Sequence, residues 1–216
     1  MEHQFYRSTG ISLATGATLI IITMVLHPSG GSLERIVAIS NIIMGAHSLA
    51  IFSLPIVLFG FYGLTIKLLD KWRLSILAFI IIACGLIAAM FAALFNGLVL
   101  PYFLSQYSTE LTEKAHLLTP ISKFSFAINV PLDYIFIVAC CLSIFVYSMI
   151  VLIEHKFPKW IGILGISITL FATIGALTDF MFTSLSGFRI FCFSIAAWIL
   201  VNSLYMIKRP KNHSKS

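Results

Sequence analysis

Residues 74–100 read LSILAFIIIACGLIAAMFAALFNGLVL, 27 residues without a single charged side chain. About 20 apolar residues cross the hydrocarbon core of a bilayer as one helix. In lipid no water is present to satisfy backbone N–H and C=O groups, so a stretch of this kind must bond within itself as a helix. Its Phe, Ile and Val would favour strands in water. It is far longer than a membrane-barrel strand of about ten residues, however, and it does not alternate polar with apolar.

Five more runs of this character flank it, at about 10–26, 36–66, 126–153, 160–180 and 190–207. Only 10% of the 216 residues are charged and 59% are hydrophobic, whereas a soluble domain carries about a quarter charged residues. The sequence thus predicts an all-α membrane protein, a six-transmembrane-helix bundle forming one membrane domain. The first run has the short basic start of a secretory signal, with Arg7. It ends in Leu26-His27-Pro28-Ser29-Gly30-Gly31 without a small-x-small cleavage site, so it reads as a retained helix followed by a turn.

Orientation follows from Lys and Arg. Ten of the 14 lie on the side of the termini: Arg7, Lys67, Lys71, Arg73, Lys156, Lys159, Lys208, Arg209, Lys211 and Lys215. The opposite loops hold Arg35, Lys114, Lys123 and Arg189. The positive-inside bias predicts both termini in the cytoplasm, with 208–216 a basic cytoplasmic tail. The net charge of +6 is therefore topological, and no basic stretch is interleaved with aromatics as nucleic-acid binding requires. The one long loop, 101–125, lies on the outer side between spans 3 and 4. Within it Thr109 to Leu118 predicts a short surface helix, capped by Thr109, supported by Glu110 and Lys114 at i and i+4, and stopped by Pro120. It reads as a plain connector or as a lid.

Cys84, Cys140, Cys141 and Cys192 all fall inside predicted spans, form no C-x-x-C pair and read as packing residues. No phosphate loop, H-E-x-x-H or G-x-S-x-G motif is present.

What remains is the polar content of the spans, where an ionisable group needs a partner or a wet cavity. A rise of 1.5 Å per residue sets the depths. His27 ends the first span at the outer boundary. Asn41 and His47 lie roughly 8 and 16 Å into the second, Asn96 roughly 33 Å along the third, and Asn129 and Asp133 roughly 5 and 10 Å into the fourth. Asp179 closes the fifth on the same side. These seven are the predicted outward-facing pocket, with Asn129 and Asp133 on one face at i and i+4. Pro55 removes the helical donor for the Ile51 carbonyl in the second span.

Several chemistries fit these residues. His27, His47, Asp133 and Asp179 are the candidate ligands for Zn²⁺, and with an open water position they imply a metal-dependent membrane hydrolase. Haem between His27 and His47 is disfavoured, because both approach from one side. Alternatively Asp133 pairs with His47 in a pocket for a proton, a small solute or a lipid. In a third reading each polar group is satisfied separately and the chain is a non-catalytic accessory subunit assembled with a membrane-protein partner.

Three segments carry a resemblance: Val25-Leu26-His27-Pro28, Gly45-Ala46-His47-Ser48-Leu49 followed by Leu58-Phe59-Gly60-Phe61-Tyr62-Gly63-Leu64, and Asn96-Gly97-Leu98-Val99-Leu100-Pro101. Over its first half the chain resembles a group of small bacterial six-span membrane proteins of uncharacterised function. That resemblance implies a bacterial cytoplasmic membrane and no activity. Membrane hydrolases of the ceramidase and receptor-like group also place His and Asp in helices, but with seven spans and a longer ligand pattern, from which this chain departs. The sequence-level expectation is a membrane protein that binds or passes a small solute or lipid, more in the manner of a binding protein than an enzyme.

Overall fold

The computed structural model describes residues 2–69, 73–154 and 156–208, and the basic tail beyond Lys208 lies outside them. The described chain is helical: α1 Glu2–Leu26, α2 Leu33–Ala38, α3 Ser40–Leu68, α4 Leu74–Ala92, a π-helical segment Ala93–Val99, α5 Leu100–Ser105, α6 Ala115–Ile153, α7 Lys159–Leu177 and α8 Leu185–Ile207. Taking α4, the π segment and α5 together as one rod, six helices are long and apolar enough to cross a membrane. Their outer faces carry bare hydrophobic side chains, with Leu177 80%, Phe124 68% and Phe52 65% exposed. Apolar exposure on that scale belongs against lipid.

The spanning helices follow one another around the bundle in chain order, and α8 closes the ring against α1. Successive helices run in opposite directions, so the start of α1, the end of α3 and the end of α8 meet at one end. There Lys67 donates to the Tyr205 carbonyl at 3.3 Å and lies 4.8 Å from the centre of the Phe157 ring. The interior is filled by Leu13, Phe61, Ile144, Tyr147, Phe191 and Trp198. Several polar groups inside it are paired: Thr65 and Tyr147 share a hydrogen bond of 2.6 Å, and Trp198 Nε1 donates to the Ile161 carbonyl at 3.1 Å.

The tightest seam joins α1 to α3. A Cβ on Gly60 would stand 2.7 Å from Leu13 Cα, and one on Gly16 would stand 2.9 Å from Val57 Cα. Between helices in lipid, attraction comes from van der Waals contact, and small residues let backbones approach closely enough to gain it.

Three boundaries differ from the sequence expectation. The second apolar run is two helices, broken at Ile39, so the span proper begins at Ser40. The surface helix expected over 109–118 does not form as a separate element: 106–114 are turns, and Ala115–Leu118 are the first turn of the 39-residue α6. The Glu110–Lys114 ion pair does form. Pro120 does not stop this helix, and Pro131 lies inside it as well. Near a helix start a proline sacrifices few backbone bonds. Burial of Leu111 and Leu118 against Ile36, Ile43, Leu100 and Leu104 offsets that loss, making a small second core that caps the end of the bundle away from the termini.

Gly60→Ala should lower the melting temperature in detergent, with an overpacking cost of about 1–3 kcal/mol. Gly45→Ala, where the added methyl meets nothing within 4 Å, should leave it level or raise it. Equal effects at the two sites would remove the seam from the account.

Candidate functional site

Beneath the small second core the ring holds a half-open cavity of about 360 Å³. Most of its wall is apolar, including Met24, Leu54, Leu86, Phe136 and Phe188, and its polar groups are His27, His47, Asn96, Asn129, Asp133, Thr23, Ser53 and Thr183. Five of the seven sequence-predicted pocket residues thus line one space. Two do not. Asn41 is exposed in the first turn of α3 and Asp179 is exposed beyond the end of α7. Neither belongs to the cavity wall.

The position of Asp179 has a backbone cause. It adopts φ 57° and directly follows the C-cap Thr178, while Phe180 N–H donates to the Gly175 carbonyl at 2.9 Å. This is a Schellman helix ending with Asp where Gly is usual, and Asp is among the few other residues that tolerate it. Asp179 serves the helix end through its backbone, and its side chain is not part of the cavity wall.

The two histidines come together from different elements. The Nε2 atoms of His27 and His47 are 3.2 Å apart and the ring centres are 4.7 Å apart. His27 follows the last residue of α1, and Arg189 of α8 holds that end by donating to the Met24 carbonyl at 3.0 Å and the His27 carbonyl at 2.5 Å. Arg189 thus acts as a side-chain cap for α1. The sequence counted it only as a loop charge. His27 Nδ1 lies 3.0 Å from the Pro28 carbonyl, and His47 Nδ1 lies 2.8 Å from the Ile43 carbonyl. Burial lowers the His27 pKa below its ordinary value, and its bond to Pro28 only partly opposes that shift.

His47 has room because position 97 is glycine: a Cβ there would stand 1.9 Å from His47 Cγ. Gly97 lies in the π-helical segment. Such segments widen a helix by one residue and recur at functional sites. The same distortion turns Asn96 inward, where its Oδ1 accepts from Ser125 Oγ at 2.7 Å and its buried Nδ2 has no protein partner. Thr23 Oγ1 is likewise buried and unpartnered. On the far wall Asn129 Nδ2 donates to Asp133 Oδ2 at 2.6 Å, the i, i+4 pair expected from the sequence.

The Asp133–His47 ion pair weighed from the sequence is not formed; the Asp133 bond recorded here is to Asn129. Among the described residues no three or more His, Cys, Asp or Glu side chains gather closely enough to hold a metal ion. The four-residue set His27, His47, Asp133 and Asp179 is therefore not a coordination sphere, and Asp179 cannot belong to one. No protein family, curated protein or solved structure matches this chain.

Asp179→Gly should preserve or raise stability, because the left-handed backbone costs a side-chain-bearing residue about 1–2 kcal/mol and costs glycine nothing comparable. Gly97→Ala should lower it, since the methyl and the imidazole cannot share the same space. A thermal melt in detergent reads both, and the reverse order would overturn the assignment of these two positions.

Proposed function

We propose that this protein is a binding protein for a small amphipathic ligand, taken up in the half-open cavity from the lipid or the adjoining aqueous phase. The observation that carries this reading is the wall itself: a cavity of about 360 Å³, apolar along most of its length, with two unpartnered buried polar atoms at Thr23 and Asn96. Ligand sites have this composition, with a hydrophobic lining for affinity and a few convergent polar groups for orientation. An empty apolar hole is stable dry, but buried polar atoms without partners are costly. A ligand head group that accepts from Asn96 Nδ2 and bonds Thr23 would relieve that cost.

The charge asymmetry of the chain supports the remainder. Ten basic residues on the side of the termini against four opposite put both termini in the cytoplasm and the cavity near the outer face. In a bacterium that membrane is the inner one. The hydrolase reading lacks a third protein ligand among the described residues, so binding without chemistry is the simpler reading.

Two measurements check this account. Native mass spectrometry of the detergent-purified protein should show a bound lipid-sized mass that is lost in Ala89→Trp, whose side chain fills the cavity. An identical mass in wild type and variant, or none in wild type, would overturn the ligand reading. For topology, a cysteine at exposed Ser108 should react with an impermeant thiol reagent added to intact cells, and a reporter fused at the C-terminus should behave as cytoplasmic. Labelling only after lysis would invert the orientation.

A further inference from the structure

We propose that His27 and His47 are the two protein ligands of a metal ion of the Zn²⁺ class, held at the edge of the cavity with its remaining positions open. The argument starts from protons. A carbonyl oxygen only accepts, so the Nδ1 atoms bonded to the Pro28 and Ile43 carbonyls both carry hydrogen. In a neutral imidazole the other nitrogen is then a bare lone pair. Both Nε2 atoms are therefore acceptors, and they face each other 3.2 Å apart with no donor between them. Two acceptors at hydrogen-bond distance repel unless a cation lies between them. Two imidazolium rings cannot face each other at that distance either, so the pair is built to share one positive centre.

The spacing also fits a chelated metal ion. With a Zn–N bond of about 2.05 Å, nitrogens 3.2 Å apart subtend about 103° at the ion, close to the tetrahedral angle. With both lone pairs aimed at that ion, the ring centres would be about 5.0 Å apart; for a head-on N–H···N bond of the same length they would be about 5.5 Å apart. The observed separation is 4.7 Å, nearer the bent, chelating arrangement. Donation of the second ring nitrogen to a backbone carbonyl is also the usual way in which a ligating histidine is oriented and made more basic. Here both rings have it, and each is further fixed: His27 by Arg189 at its carbonyl, and His47 by contact with Gly97.

No third protein ligand is needed for binding, because water or a donor atom of a molecule in the cavity completes the sphere. The proposal goes beyond the amphiphile reading and stands without it: two histidines hold the ion whether or not the cavity is filled.

The test uses full-length protein purified in detergent through an affinity tag without histidine, stripped with a chelator and dialysed against Zn²⁺. Elemental analysis should find one Zn²⁺ per chain in wild type. His27→Gln and His47→Gln should each weaken binding by at least about tenfold, and His116→Gln, at the helix start away from the cavity wall, should bind as wild type. Zn²⁺ should also raise the wild-type melting temperature, and the two single variants should lose that rise, which keeps the test informative if either variant is less stable. Absence of bound Zn²⁺ in wild type, or retention by the double variant, would overturn the site. Loss of the metal with the lipid-sized mass unchanged in native mass spectrometry would leave the ligand reading intact, so the two proposals fail separately.

Discussion

The α1–α3 seam is the contact on which the rest of the molecule depends. Gly16 lies over Val57 and Gly60 over Leu13, closer than any side chain would allow. In an antiparallel pair each step up one helix is matched by an equal step down the other. The register that puts Thr9 beside Gly63, Leu13 beside Gly60 and Gly16 beside Val57, carried to the far end, arrives at His27 opposite His47. The histidine pair is therefore a consequence of the seam.

Around that pair the two ends of the bundle use their polar groups differently. The end at the termini holds cationic Lys67 against aromatic rings and a carbonyl, and the middle is packed with large side chains. The far end holds the cavity, the two histidines, the Asn129–Asp133 bond and the unpartnered atoms of Thr23 and Asn96. Burying such groups at membrane depth is costly, and a bundle serving structure alone would have filled this space with Leu or Phe. Unpartnered buried atoms also occur at Ser148, Glu154 and Asn202, but those of Thr23 and Asn96 belong to residues that line a void, and this is the physical argument for a ligand. The π segment belongs to the same design, because it leaves room for His47 and carries Asn96 in the cavity wall.

Much of this was legible in the sequence, for identifiable reasons. The six spans follow from length and apolarity alone. Asn129 with Asp133 follows from the helical repeat. Depth placed His47 deeper than the structure does, because Ile36 was taken as the start of the span; the break at Ile39 moves that start to Ser40 and brings His47 up toward His27. Asn41 shares the helix of His47 but faces outward, a rotation that depth cannot show. Asp179 was misplaced because a helix-ending role leaves no mark in hydropathy. The helix through Pro120, the cap by Arg189 and the clearance at Gly97 all depend on contacts between distant segments, which no local pattern contains.

The central claim is that the ends of α1 and α3 share one site through His27 and His47. A double-mutant cycle measures this directly: thermal or denaturant unfolding of wild type, His27→Ala, His47→Ala and the double variant in the same detergent. Residues in contact couple by at least about 0.5 kcal/mol, and independent ones add. The account predicts coupling of at least that size, enlarged when Zn²⁺ is present. Strict additivity with and without the ion would contradict it.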